Sequence, residues 1–353
     1  MRPARAHTST LALEQLASED ALRLAVLLAG ELHAVRIDEG SLTLHALTAR
    51  GEARIALHPD TRAERYLVRV REALAGHVMR SPGGYPVHLR RWTRSGHASP
   101  SNVAALLCLA EPEAVTAVSL SAHLTDELAR RVWWLQPDAP VARAMLGHPA
   151  VRRGPIGPVL AAHLLEHLPF EDDPDMAIAS IDAVAAAGLL DEPAREKLWR
   201  AAEHRPHYLI GWLQHAPETL PPEPPRTLPP AVEAAAEQGD ALAMLLCQCA
   251  TPGGQGALRA MQLVLEKLPT HEATYRMLDL IGERFAPARD AAEADTAVPA
   301  PLAEALRGLA GVSGAAAESV LRRTTAVGPL MRRHLAPVLQ PIGARLQTLR
   351  EMA

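Results

Sequence analysis

His163-Leu164-Leu165-Glu166-His167 has the H-x-x-E-H spacing of inverted zinc peptidases. Histidines four apart share a helical face, so both could reach one Zn²⁺ with Glu166 as the base. Pro169 ends the helix at once, and no third ligand is identifiable. We prefer two histidines near a helix C-terminus, where they suit the dipole. No metal is assigned; His163 and His167 are the candidates should one bind, and a zinc metallohydrolase is the third functional reading.

Cys247-Gln248-Cys249 sits in the apolar run Ala241 to Ala250. Residues two apart on a helix point about 200° apart, so the thiols cannot share a ligand. They read as buried structural cysteines. His204, His207 and His215 cluster in sequence, but Pro206 resets the helix between the first two. No nucleophile elbow or paired-carboxylate constellation stands out. No cofactor is expected.

The strongest binding candidate is Ser81-Pro82-Gly83-Gly84-Tyr85-Pro86, leading into Val87-His88-Leu89-Arg90-Arg91-Trp92-Thr93-Arg94. A Gly83-Gly84 turn lets backbone approach a ligand closely. Arg90, Arg91 and Arg94 suit phosphate, sulfate or carboxylate. Tyr85 and Trp92 could stack on a ring. The competing reading is a strand with a solvated arginine face. It is not a P-loop, because no Gly-Lys-Ser/Thr follows. Arg130 and Arg131 are a second cationic pair on a helix.

These residues must be held by elements, and the sequence indicates helices. D-E-x-A-R-x-x-x-W occurs at Asp126–Trp134 and again at Asp191–Trp199, 65 residues on. Each copy follows a segment opened by an acidic-Pro-acidic triplet, Glu111-Pro112-Glu113 or Asp173-Pro174-Asp175. Such an echo marks stacked helical repeats, with Trp134 and Trp199 as core residues between helices. Alanine, leucine and valine dominate an apolar content of 48%, and aromatics are only 3%, which favours helix over strand.

Ser18 is a plausible N-cap for a helix over 18–33. Val35-Arg36-Ile37, Ser41 to Leu47 and Glu52 to Leu57 read as a small antiparallel sheet or hairpin, turning at Arg50-Gly51. A helix from Pro59 to about Met79 follows, then a strand over Tyr85–Trp92. From residue 99 on, only helices are expected, near 100–110, 112–121, 126–136, 139–147, 155–168, 174–187, 191–203, 206–216, 231–250, 254–268 and 270–286. Two or three more finish the chain.

The fold expected is mainly α. A small α+β unit (1–97) leads into HEAT-like, α-solenoid-like repeats (98–216). Seven prolines make 217–230 a polyproline-like linker, and 231–353 is a C-terminal helical domain. Net charge is −4 but segregated: ten arginines against four acids over 50–94, fourteen acids against five bases over 171–240. A global polyanion binder is thereby disfavoured, while a local anionic contact is not. Three cysteines without a framework argue against a secreted disulfide fold. No signal-peptide core and no membrane-length apolar run are present, so a cytoplasmic location is expected.

Arg36-Ile37-Asp38, Thr48 to Ala53, the block Ser81 to Arg94 and Leu124 to Trp134 together resemble the DsrS family, over roughly residues 18–216. Its members are soluble accessory proteins encoded with the reverse dissimilatory sulfite reductase genes of sulfur-oxidising bacteria. The resemblance implies a cytoplasmic role in oxidation of stored sulfur and carries over no catalytic residue. The functional reading is a non-enzymatic interaction protein docking a partner of that system, with Arg90, Arg91, Arg94, Arg130 and Arg131 as contacts. The alternative is a nucleic-acid-binding regulator of the same genes.

Overall fold

Leu42, Leu44 and Ala46 alternate with polar residues, as do Ala53, Ile55 and Leu57. In a computed structural model of the chain this period-two pattern becomes a three-stranded antiparallel sheet, ordered β1 (Leu32–Asp38), β2 (Thr43–Thr48), β3 (Gly51–Ala56). The structure describes residues 13, 15–78, 100–289, 291 and 297–352, and the side chains of these except 100–102. The strand expected at Tyr85–Trp92 lies outside them.

Thr48 pairs with Gly51, so Ala49-Arg50 is a two-residue hairpin loop. Gly51 takes φ +109, a conformation that costs a side-chain-bearing residue dearly. Val35, Leu44, Ala46 and Ile55 face one core with α1 (Ser18–Leu28) and α2 (Ala63–Val78), including Leu24, Leu28, Leu67, Val70 and Leu74. Ser18 is the first helical residue and Ala17 the N-cap, without a side-chain cap bond. The expected cap is thus shifted by one.

The chain divides into two compact units, 1–160 and 161–353, and not at 97/98. In the first, helices follow at α3 (Pro100–Leu106), α4 (Pro112–Ser119), α5 (Asp126–Leu135), α6 (Ala139–Leu146) and α7 (Pro149–Arg152). They belong with the sheet for a visible reason. The Val35 N–H donates to the Leu107 carbonyl at 2.9 Å, closing the outer edge of β1, and α5 packs on that strand. A helix α8 (Ile156–His167) carries the chain across the division.

The second unit contains α9 (Pro174–Ala186), α10 (Glu192–Ala202), α11 (Tyr208–His215), α12 (Pro230–Glu237), α13 (Ala241–Ala250), α14 (Pro252–Glu266), α15 (His271–Arg284), α16 (Ala300–Ala310), α17 (Ala315–Leu321) and α18 (Gly328–Arg350). The helix expected over 231–250 is two, because Gly239 at φ +88 ends α12 and Asp240 caps α13 by accepting from the Ala243 N–H.

One core runs from Leu168 to Met352 on both sides of the prolines, so 217–230 is not a linker between domains. Leu220 and Leu228 are buried in that core. The Glu223 and Arg226 N–H groups donate to the carbonyls of Pro252 and Ala250 at 3.1 and 2.9 Å. Prolines lack N–H groups, so the few non-proline amides of the segment do the anchoring.

The two D-E-x-A-R-x-x-x-W copies are both helix starts, offset by one residue. Thr125 caps α5 by accepting from the Leu128 N–H, so Asp126 is already helical. Leu190 cannot cap, so Asp191 itself caps α10, accepting from Ala194. Both tryptophans are half-buried. Trp199 packs against the second core, and Trp134 bridges its helix to the sheet rather than to another helix.

Candidate functional site

The block holding Gly83, Gly84, Tyr85, Arg90, Arg91, Trp92 and Arg94 lies outside the described residues. Arg130 and Arg131 are described, and each pairs with an acid one turn back. Arg130 Nε is 3.2 Å from Asp126 and Arg131 bonds Glu127. Arg130 stays 58% exposed while Arg131 is mostly covered.

His163 and His167 do share a helical face, with stacked rings 4.0 Å apart. His167 Nδ1 lies 2.9 Å from the His163 carbonyl. Among the described residues no three His, Cys, Asp or Glu side chains converge for a metal ion. The thiols are not poised for chemistry. Burial pushes Cys108 and Cys249 up to about 12, and Cys247 upward as well. His207 is held at about 4 by burial and by Arg205, whereas His215 bonds Asp182 at 2.8 Å.

Among the described residues, three gatherings of chemistry-bearing side chains stand out. The first is a buried carboxylate. Asp20, in the first turn of α1, is 1% exposed. It accepts from the Tyr66 hydroxyl at 2.5 Å and the His58 amide at 2.6 Å, and lies 3.0 Å from His58 Nδ1. Burial raises its pKa, but the bonds from Tyr66 and His58 outweigh that and lower it overall. Burial, together with the bond to Asp20, pushes the Tyr66 phenol well up. An ionised Asp20 can only accept, so His58 Nδ1 carries the proton of that bond. A carboxylate bonded to Nδ1 in this way orients an imidazole ring. No serine, threonine or cysteine bonds that ring among the described residues.

The second is the sheet face opposite the core. Arg36 pairs with His45, and His45 with Arg54, in one row across the strands. Trp134 lies alongside. Its indole N–H donates to Glu52 at 2.8 Å, its carbonyl accepts from Arg36 at 3.1 Å, and the guanidinium sits 4.7 Å above the ring.

The third is a groove in the second unit of about 460 Å³. Asp175, Glu272, His271, Tyr275 and Val327 line it. Thr270 caps α15 and donates to Asp175 at 2.7 Å, while His271 Nε2 donates to the Ala326 carbonyl at 2.8 Å. Val327 is 59% exposed, and Leu330 nearby is 51% exposed.

Sequence reasoning missed all three. Asp20, His58 and Tyr66 are separated by 38 and 46 residues, a spacing that follows no motif. The Arg36, His45, Arg54 row was the one with a signal: nine-residue spacing across two expected turns. No family model, no curated protein and no solved structure matches the chain.

Proposed function

We propose that this is a non-enzymatic interaction protein that docks a partner through the groove of its second unit. One observation carries the reading. A single open groove joins two carboxylates, Asp175 and Glu272, an aromatic wall, Tyr275, and an exposed valine, Val327. A peptide bearing arginine or lysine beside an apolar residue is its complement: the cation over Tyr275 and between the acids, the apolar neighbour on Val327. Helices stacked as repeats would extend such a groove into a longer face. Placing the partner in the cytoplasmic sulfite reductase system rests on the sequence resemblance alone.

The test is a pull-down from sulfur-grown cells with the full chain as bait, with and without nuclease. Capture of a sulfur-oxidation protein that survives nuclease, and is lost with Glu272→Lys or Val327→Asp, supports the reading. Recovery of nucleic acid, or of proteins lost on nuclease treatment, replaces it with the regulator. Capture that ignores both substitutions removes the groove from the account.

A further inference from the structure

The register of the sheet sets Arg36, His45 and Arg54 in line on β1, β2 and β3. Cross-strand neighbours on one face have Cβ atoms roughly 5 Å apart. Two arginines flanking an imidazole are a costly arrangement for a sheet unless something negative joins them. The neighbouring row is Ala34, Leu47 and Glu52, and the Trp134 indole reaches along it to Glu52. The row on the other side begins at Asp38, whose carboxylate accepts from the Gly40 N–H at 3.0 Å and the Ser41 hydroxyl at 2.7 Å.

Both acids nearest the row accept hydrogen bonds from other groups, yet each keeps its charge and acts on His45 from the side. Arg54 is exposed and makes no ion pair among the described residues. His45 Nδ1 is buried, with no hydrogen-bond partner among the described residues. Burial first, then Arg36 and Arg54, hold the imidazole below its usual range, against the opposing pull of Asp38 and Glu52.

We propose that the row Arg36–His45–Arg54, walled by Trp134, is a binding site for a small oxyanion, a phosphate or sulfate group. Arg54 supplies forked N–H donors from an edge strand. His45 supplies a single ring donor. Arg36 spends one N–H on the Trp134 carbonyl and keeps four others. The indole fixes that guanidinium in place and bounds the site on one side. The site is separate from the groove and stands or falls without it.

The experiment titrates the full chain with inorganic phosphate and with sulfate at low ionic strength, following the His45 ring by NMR. Saturable one-site binding in the millimolar range is expected, with the His45 pKa rising as the anion stabilises imidazolium. Arg54→Gln weakens it about tenfold, and Arg54→Lys falls between because an ammonium lacks the fork. Arg23→Gln, a surface cation paired with Glu19 on α1, leaves it unchanged. A nucleoside monophosphate arm separates the sources. Tighter binding than phosphate identifies an organic phosphate, and equal binding identifies the bare ion. Absence of saturation, or Arg54→Gln titrating like wild type, overturns the site and leaves ordinary salt screening.

Discussion

Asp20 is sealed from solvent yet stays charged, because three donors from two residues surround it. Removing one partner of such a network leaves others unsatisfied, so the two ends of the network should differ. Tyr66→Phe removes a donor and leaves two, costing about 1–2 kcal/mol. Asp20→Ala orphans a buried phenol and an amide, costing about 3 kcal/mol or more. Urea unfolding of the two variants checks this, and equal losses would mean the bonds are not the reason for burial. His207 gives a pH effect of known sign. Its folded pKa, about 4, lies below the ordinary 6.5. Between those values the unfolded chain takes up a proton that the folded chain refuses. Stability therefore rises with pH across that window and levels off above it. Allowing for partial exposure, the effect is on the order of 1–2 kcal/mol. Melting from pH 4 to 7 should show a shallower slope in His207→Gln than in wild type.

Gly256 on α14 shows how an element is placed by what is absent. A Cβ there would press into the Pro221 carbonyl, well inside van der Waals contact. Gly256→Ala should therefore lift the proline segment, with Leu220 and Leu228, off the second core, at about 1–3 kcal/mol. Proteolysis within 217–230 should quicken in that variant; an unchanged rate would restore the linker reading. The same segment shows where sequence reasoning stopped. Prolines announce an extended, non-helical run, but not whether it spans solvent or lies on a helix. That is decided by Leu220, Leu228 and Gly256, which are far apart and individually ordinary. By contrast, Leu44/Ala46 and Ala53/Ile55 made the strands legible through period alone, and helix starts such as Pro112, Asp126, Ala139 and Pro174 matched their expected positions. Helices α12 and α13 merged in the sequence because a lone Gly239 is tolerated within a helix, and only its φ of +88 ends one. For the site, the Arg36, His45, Arg54 row needed a register, and the Asp20 network needed a tertiary fold.

At the scale of the molecule, charge and core divide along the same line. Residues 1–160 carry 19 basic and 15 acidic residues, net +4; residues 161–353 carry 17 and 25, net −8. The oxyanion row thus lies in the positive unit and the acidic groove in the negative one, each with the field that suits its ligand. The core that packs on the sheet and the core from Leu168 to Met352 share no residue. A lesion confined to one should therefore open it locally. Gly282 is the place to make it, because a Cβ there would drive into the Val312 carbonyl after α16. In Gly282→Ala, amides of α15 and α18 should exchange faster by hydrogen exchange. The His58 amide, bonded to buried Asp20 in the first unit, should keep its protection. Equal loss at His58 would mean that the two cores open as one cooperative body, and a ligand in the groove would then stabilise the oxyanion row as well.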